Sequence, residues 1–254
     1  MIRVQEQLSD LLKLVRRADE AVMEVYDANS AVVQTKDDDS PITQADMASH
    51  HILVDGLARL FPDVPIVSEE GDQQANAAAV SGPLFWLVDP IDGTKEFIAR
   101  TGDFTVCLAF VQDGVPVFGI ISAPAYGTTY YGGPGMGSFK VEADSAPQPI
   151  HVAAQKLHVV VASRGELNPE TADYIARQYP GATIDRVGSQ LKIPYVAEGR
   201  ADAYPRIVHG MKVWDVAAGD AILTGAGGKV TRPDGSAVDY QAVSLLVGDF
   251  VASA

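Results

Sequence analysis

The chain has a single cysteine, Cys107, so it cannot form an internal disulfide bond. Nothing in its cysteine content indicates an oxidising compartment. Cys107 lies in the apolar run 104–111, where we predict a buried strand. No segment of the sequence approaches the roughly 18 consecutive apolar residues of a membrane-spanning helix. We therefore expect no integral membrane segment.

Basic residues are also scarce. Lys and Arg number 19 against 33 Asp and Glu, which gives a formal net charge of −14. Nucleic-acid polymers are not expected partners, because binding them requires basic surfaces that displace counterions. The first 27 residues form an amphipathic pattern that includes Asp10 and Glu20, so they do not resemble a signal peptide and predict a cytoplasmic protein. The acidic run 37–39 is interpreted as solvated loop charge.

The sequence shows no internal repeat, and the glycine-rich segment 132–137 lacks the Gly-Lys-Ser/Thr of a phosphate-binding loop, so it predicts a turn. A length of 254 residues is enough for one large domain with a substantial core. We expect a single catalytic domain over residues 1–254. Its first part, to about 145, is predicted to be α+β with antiparallel strands, and its second, from about 150, to be α/β.

Hydrophobic periodicity predicts the order of the elements. Asp113-Gly114 is a strong two-residue hairpin signal, and a second hairpin is predicted around 132–135. The polar stretch 142–149 is interpreted as a connector between the two parts. Helices are predicted near 2–27, 44–60, 168–178, 189–198 and after Asp215, and strands near 64–67, 84–88, 104–112, 115–122, 157–162, 182–187 and 202–204.

The most informative segment follows the apolar strand 85–88 and reads Asp89-Pro90-Ile91-Asp92-Gly93-Thr94. Proline fixes its own φ and biases Asp89 toward an extended conformation, while Gly93 permits a sharp reversal. Two carboxylates on either side of such a turn can point at one place, which suits oxygen-seeking cations such as Mg²⁺. The alternative is an ordinary Asx-rich surface turn.

Three other segments carry acidic residues at the start or end of predicted elements. Glu69 and Glu70 follow a short strand, Asp215 opens a helix, and Thr43 with Asp46 precedes another helix. Each has a purely structural interpretation: a solvated acidic pair, a helix cap favoured by the macrodipole, and a capping box. None of the three would indicate a functional site alone.

Three of these segments together resemble the paired signatures of the inositol monophosphatase superfamily, whose members are Mg²⁺-dependent, Li⁺-sensitive phosphatases. The segments are Glu69, the run from Asp89 to Thr94, and Trp214-Asp215-x-x-x-Gly219. The resemblance extends from Lys36 to at least Gly228. It implies a five-layer αβαβα sandwich, an α+β fold. Within the superfamily, Lys95-Glu96-Phe97 and the stretch from Gly188 to Lys192 are similar to the 3′(2′),5′-bisphosphate nucleotidases.

The resemblance also implies roles for individual residues. Two or three Mg²⁺ ions are expected at a site made of Glu69, Asp89, the carbonyl of Ile91, Asp92 and Asp215. Asp46 and Thr94, with Glu69, are the expected catalytic residues, and Glu70 is expected to support them. The substrate-binding residues are expected to be Gly93, Thr94, Lys95, Ser189, Lys192, Arg206 and Asp215. Lys192 has the alternative interpretation of a surface helix lysine.

The implied substrate is a small phosphorylated molecule, 3′-phosphoadenosine 5′-phosphate or its 5′-phosphosulfate form, cleaved to release the 3′-phosphate in sulfur assimilation. A broad-specificity inositol monophosphatase or fructose-1,6-bisphosphatase is the alternative within the same chemistry. A non-catalytic divalent-metal-binding module is a remote one. Dimers are common in the superfamily, so a homodimer is compatible with the resemblance. Near Glu166 the chain lacks the histidine that bisphosphate nucleotidases often carry.

Overall fold

The fold is described by a computed structural model, which covers residues 4–29, 31–35, 41–143, 145–165, 167–208 and 210–254. Its elements form five layers: two helices, a seven-stranded sheet, two central helices, a five-stranded sheet and an outer helix. The predicted α+β sandwich of five layers is therefore confirmed. Among the described residues, no helix is both long and apolar enough to cross a membrane.

The first layer consists of α1 (Leu8–Asp27) and α2 (Gln44–Leu60), which contact each other closely. A 3₁₀ helix, Val4–Gln7, precedes α1. Buried residues such as Leu11, Val15 and Val22 recur at helical spacing along α1, which explains why one face packs inward. A short two-stranded sheet, β1 (Val33–Thr35) paired with β2 (Pro41–Thr43), leads into α2.

The second layer is the seven-stranded sheet, in the spatial order β3-β4-β5-β6-β7-β8-β9. Only β3 and β4 pair in parallel; the remaining neighbours are antiparallel. Alternate residues of β4 face opposite sides: Trp86 and Val88 pack with α1 and α2, while Phe85 and Leu87 face the central layer. The strands are β3 (Ile66–Ser68), β4 (Leu84–Asp92), β5 (Thr105–Gln112), β6 (Val115–Ala123), β7 (Thr128–Gly133), β8 (Gly137–Glu142) and β9 (Gln148–Ile150).

The central helices are α6 (Lys192–Ala197) and α7 (Ala217–Gly225), and α7 packs on β6 and β7. Small residues make this close approach possible. A Cβ added to Gly119 of β6 would lie 2.3 Å from the carbonyl oxygen of Ala218 in α7. The sequence of α7 is rich in alanine and glycine for this reason, since bulkier side chains would hold the helix away from the sheet.

The fourth layer is the five-stranded sheet, in the order β11-β10-β12-β14-β13, and α5 (Pro169–Gln178) contacts β12 on the side facing away from α6 and α7. In this sheet β10 runs parallel to β11 and β12, while β14 is antiparallel to both of its neighbours. The strands are β10 (Val159–Ser163), β11 (Thr183–Val187), β12 (Ala203–Arg206), β13 (Lys229–Thr231) and β14 (Phe250–Ser253).

Most of the predicted elements are present with shifted ends. One interpretation is wrong: the segment 142–149 is not wholly a connector, because its last two residues belong to β9, an edge strand of the seven-stranded sheet. A three-residue strand is too short to produce a clear hydrophobic pattern, and α3 (Gln73–Ala79) and α4 (Thr94–Ile98) were also not predicted. The acidic run 37–39 and Glu166 lie outside the described residues.

Candidate active site

The Asp-Pro-Ile-Asp segment is the end of β4 itself. The pairing of β4 with β5 is interrupted between Asp89 and Asp92, where the register shifts. Gly93 follows with φ of 90°, and a Cβ there would lie 2.8 Å from the carbonyl oxygen of Asp103, so a larger residue would be both strained and crowded. The hydroxyl of Ser49 in α2 donates to the carbonyl of Pro90 at 2.8 Å and ties the turn to the helix layer.

Three carboxylates meet at this strand end. One oxygen from each of Asp89, Asp92 and Asp215 lies within 4.8 Å of the others, and we call this set the carboxylate cluster. Asp215 reaches it because the 3₁₀ helix Val213–Asp215 contacts β4 and β5. Glu69 follows β3, and its amide donates to the carbonyl of Val88 at 3.1 Å. Since β3 and β4 are parallel, their carboxyl ends share one edge, which places Glu69 level with Asp89.

Burial and mutual repulsion both raise the pKa values of the carboxyl groups in the cluster. Burial raises the pKa of Asp89 well above its usual range, and the charges of Glu69, Asp92 and Asp215 raise it further. Burial likewise raises the pKa of Asp92 to about 6, although the Lys192 ammonium opposes the shift. The pKa of Asp215 is raised by burial and by Asp92. The cluster therefore needs a positive partner to be fully ionised at neutral pH.

The residues fit a divalent cation. The Oδ1 atom of Asp89 is buried and finds no hydrogen-bond partner among the described residues. Its Oδ2 atom lies 3.5 Å from the Gln190 amide nitrogen. An orphaned carboxylate oxygen is costly unless something outside the polypeptide compensates it. Hard cations such as Mg²⁺ and Ca²⁺ prefer carboxylate and carbonyl oxygens, and those are the donors assembled here.

Thr94 and Asp46 lie beside the cluster and touch each other. The Thr94 hydroxyl is 3.2 Å from Asp46 Oδ1 and 3.3 Å from the carbonyl oxygen of Ile91. The other oxygen of Asp46 completes the capping box of α2, accepting from the amide of Thr43 at 2.8 Å and from its hydroxyl at 2.6 Å. The capping interpretation and the contact with Thr94 are thus both correct, because they use different oxygens. Burial raises the pKa of Asp46 against these hydrogen bonds.

A cavity of about 730 Å³ opens next to the cluster. Glu69, Glu70 and Asp215 line it together with Lys212, which brings a positive charge to its wall. The Asp215 carboxylate accepts the Lys212 amide at 2.8 Å, so it too serves both as a local cap and as a cluster member. Ser189, Lys192 and Arg206 are not among the described residues that line this cavity.

Four of the predicted substrate residues, Lys95, Ser189, Lys192 and Arg206, lie on different elements and differ in burial. Ser189 is buried at φ of 50°, and Lys192, only 7% exposed, donates to the Ser189 carbonyl and lies close enough to Asp92 to lower its pKa. The interpretation of Lys192 as a surface lysine is therefore wrong. Arg206 donates to the Ser163 hydroxyl at 3.1 Å. Lys95 is exposed on α4.

Sequence reasoning did not assign three neighbours of the site. The side-chain nitrogen of Gln190 links β4 to the 3₁₀ helix that carries Asp215. It donates to the Trp214 carbonyl at 3.0 Å besides its contact with Asp89. Lys212 lies three residues before Asp215, and Ser49 lies one helical turn after Asp46. All three lie close in sequence to a residue that was assigned to the site, and this was the available signal. Closeness in sequence does not show whether a side chain points toward the site.

Comparison with known proteins identifies the family of this chain. The sequence matches the inositol monophosphatase family over residues 4–253, and the chain belongs to this family. Within the family it is similar to the 3′(2′),5′-bisphosphate nucleotidase CysQ of Salmonella typhimurium, at 41% identity over 234 residues, which cover 92% of this chain and 93% of that protein. CysQ of Escherichia coli K12 is 39% identical over the same shares of the two chains.

Solved structures give the same result. The crystal structure of CysQ from Bacteroides thetaiotaomicron, described as a bacterial member of the inositol monophosphatase family, superimposes with a TM-score of 0.83 at 33% identity. The alignment covers 98% of this chain and 97% of that one. An IMPase of Thermotoga maritima gives a TM-score of 0.79 at 27% identity, over 98% and 92% of the two chains. The resemblance inferred from the motifs is confirmed.

Proposed function

We propose that this protein is a metal-dependent phosphomonoesterase that hydrolyses the 3′-phosphate of 3′-phosphoadenosine 5′-phosphate to AMP and phosphate, and also acts on the 5′-phosphosulfate form. The observation that carries the proposal is the contact between the Thr94 hydroxyl and Asp46 beside the carboxylate cluster. A protein that only binds metal needs the cluster but has no use for this pair. The similarity to CysQ nucleotidases supports the choice of substrate.

We assign two or three Mg²⁺ ions to the site. Glu69, Asp89 and the carbonyl of Ile91 would hold the first, and Asp89, Asp92 and Asp215 the second, with Asp89 shared. A third ion would use Glu69. When bound, such ions lower the pKa of water and stabilise charge on phosphoryl oxygens. The buried oxygen of Asp89 without a protein partner supports this assignment.

Thr94 and Asp46 orient the attacking water. Because the Thr94 hydroxyl donates to Asp46 Oδ1, its oxygen is left to accept a hydrogen bond from water. As the water oxygen forms its bond to phosphorus and the bond to the ribose 3′-oxygen breaks, the water proton passes to Thr94 and the Thr94 proton to Asp46. The departing 3′-oxygen takes a proton from solvent. The raised pKa of Asp46 makes it a better acceptor than an ordinary carboxylate.

The remaining residues bind the substrate. The backbone amides of Gly93 and Thr94 face the scissile phosphate, while Ser189, Lys192 and Arg206 provide a hydroxyl and two cations for the 5′-phosphate side. Arginine suits a phosphate because its guanidinium donates two parallel hydrogen bonds. Lys95, exposed next to Thr94, adds positive charge at the entrance. These cations offset locally the repulsion that an anionic protein exerts on an anionic substrate.

The test is phosphate release by EDTA-treated protein with and without added Mg²⁺, comparing 3′-phosphoadenosine 5′-phosphate with inositol 1-phosphate. We expect strong preference for the nucleotide, dependence on Mg²⁺ and loss of turnover in Asp215→Asn. The matched control is Asp202→Asn, since Asp202 accepts backbone amides of Leu157 and Val159 away from the site. Preference for inositol phosphate would refute the substrate assignment, and full activity of Asp215→Asn would refute the metal assignment.

A further inference from the structure

Asp103 is a buried carboxylate outside the residues assigned so far. It lies between α4 and β5 and is 3% exposed. Its Oδ2 atom accepts from the Arg164 Nε at 2.8 Å, from the Arg164 Nη2, and from the amide of Gly188 at 2.8 Å. Its Oδ1 atom accepts the Tyr126 hydroxyl at 2.5 Å. The side chain is therefore surrounded by donors on both oxygens.

These donors come from distant parts of the chain. Arg164 follows β10, Gly188 follows β11, and Tyr126 belongs to the 3₁₀ helix Pro124–Tyr126 after β6. Asp103 thus joins the seven-stranded sheet to the carboxyl ends of two parallel strands of the five-stranded sheet. Burial tends to raise its pKa, but the hydrogen bonds from Tyr126, Gly188 and Arg164 outweigh burial and lower the pKa. The junction therefore holds an ionised carboxylate.

Asp103 and its hydrogen-bond partners, which we call the Asp103 junction, lie next to two turns of the candidate active site. A Cβ added to Gly188 would lie 2.6 Å from the Asp103 Cβ, and one added to Gly93 would lie 2.8 Å from the Asp103 carbonyl oxygen and 3.2 Å from the Ser189 Cβ. Asp103 is consequently packed between the turn that carries Thr94 and the turn that carries Ser189. Small residues at 93 and 188 allow this spacing, and the carboxylate hydrogen bonds hold it.

The segment after Gly188 needs such an anchor. Ser189 has φ of 50°, a left-handed conformation that is unfavourable for a non-glycine residue. The side chain of the next residue, Gln190, contacts the Asp89 carboxylate and the Trp214 carbonyl, and the Lys192 ammonium lowers the pKa of Asp92. A strained conformation persists only where its surroundings fix it. The hydrogen bond from the Gly188 amide to Asp103 is the contact immediately before the strained residue.

We propose that Asp103 is a positioning residue that fixes the segment 188–192 against the 92–94 turn, so that Ser189 and Lys192 are presented to the 5′-phosphate side of the substrate. The identity of the substrate rests on the function proposed above; the anchoring does not. Asp103 touches neither the carboxylate cluster nor the Thr94–Asp46 pair in the described contacts. Its loss should therefore weaken nucleotide binding more than it slows the chemical step.

The test combines hydrogen–deuterium exchange with kinetics in Asp103→Ala. We expect amides within 188–192 to exchange at least about tenfold faster than in the wild type, as loss of one hydrogen bond predicts. We expect KM for 3′-phosphoadenosine 5′-phosphate to rise about tenfold with kcat within about threefold, and p-nitrophenyl phosphate, which has no 5′-phosphate, to be affected less. Asp103→Asn, which keeps one acceptor oxygen, should lie between the wild type and Asp103→Ala.

The matched control is Asp202→Ala, which removes a carboxylate that binds two backbone amides at the opposite end of β10. It should speed exchange near 157–159 and leave both 188–192 and KM unchanged. If Asp103→Ala does not fold, Arg164→Ala serves instead, because it removes two of the four donors. Exchange at 188–192 equal to that of the wild type, or an unchanged KM with faster exchange, would overturn the proposal. A wild type inactive on the nucleotide would contradict the proposed function, and exchange would then decide on Asp103.

Discussion

Adding Mg²⁺ to metal-free protein should stabilise the fold measurably. Without metal, the cluster forces like charges into a site with little water. The pKa of Asp92 rises from 3.8 to about 6, so keeping this one carboxylate ionised at pH 7.5 costs about 3 kcal/mol of folding free energy. Since the folded-state pKa lies above the unfolded one, this loss of stability develops as the pH rises from about 4 to above 6. A divalent cation removes the repulsion that causes it.

The size of the effect follows from linkage. A ligand at 100 times its dissociation constant stabilises the folded state by about 2.7 kcal/mol. With an unfolding entropy of about 2.1 cal/mol/K per residue, a chain of 254 residues should show a rise in Tm of about 5 °C. The shift should shrink at pH 5, because protons compete with the metal for the same carboxylates.

The assay is differential scanning calorimetry of EDTA-treated protein at pH 7.5 and pH 5, over a series of Mg²⁺ concentrations. Asp89→Asn should lose most of the shift, because Asp89 carries the buried oxygen that has no partner among the described residues. Asp202→Asn should keep it. An unchanged Tm at all Mg²⁺ concentrations, or an equal shift in Asp89→Asn, would refute the reasoning.

Three further predictions concern separate parts of the molecule. Thr94→Val should lower kcat about 100-fold with little change in KM while Thr94→Ser retains activity, and equal rates for Val and Ser in steady-state assays would exclude the hydroxyl from catalysis. Burial raises the pKa of Asp19 to about 7 despite the hydrogen bond from the Ser122 hydroxyl, so the free energy of unfolding should fall by about 3 kcal/mol as the pH rises from 5 to 8. Urea titrations should show a weaker dependence on pH in Asp19→Asn, and an unchanged dependence would assign it to another group. Gly119→Ala should cost about 1–3 kcal/mol of stability, because the added methyl group would push β6 away from α7. Gly165→Ala is the control and should cost far less, because open space surrounds that position. Similar urea midpoints for both variants would contradict the packing argument.

Local chemistry explains which parts of the site were predictable. Asp89, Asp92 and Thr94 lie within six residues, and proline and glycine restrict the backbone between them, so their convergence is a short-range property. Glu69 was assigned through the resemblance, and the parallel pairing of β3 with β4 is what places it beside Asp89. The helix caps were predictable too, since Thr43 and Asp46 satisfy α2 by contacts three residues apart.

Long-range placement was not predictable in the same way. The resemblance identified Asp215, but only the packing of its 3₁₀ helix on β4 and β5 brings it to the cluster. From the sequence, Lys192 could equally be a surface helix lysine. Only the packing of the central layer shows that it is buried near Asp92. The short edge strand β9 was missed because three residues carry too little periodicity to predict a strand.

The sequence by itself determined most of the elements, the turn chemistry and the pair of carboxylates at the end of β4, because these depend on residues near one another along the chain. The tertiary structure decided which groups from distant parts of the chain meet: the hydrogen bonds of Asp103, the burial of Lys192 near Asp92, and the contact of Asp46 Oδ1 with the Thr94 hydroxyl across 48 residues. The physical reason is that a carboxylate has two acceptor oxygens. Local sequence accounts for one of them, and only the packed fold shows what reaches the other.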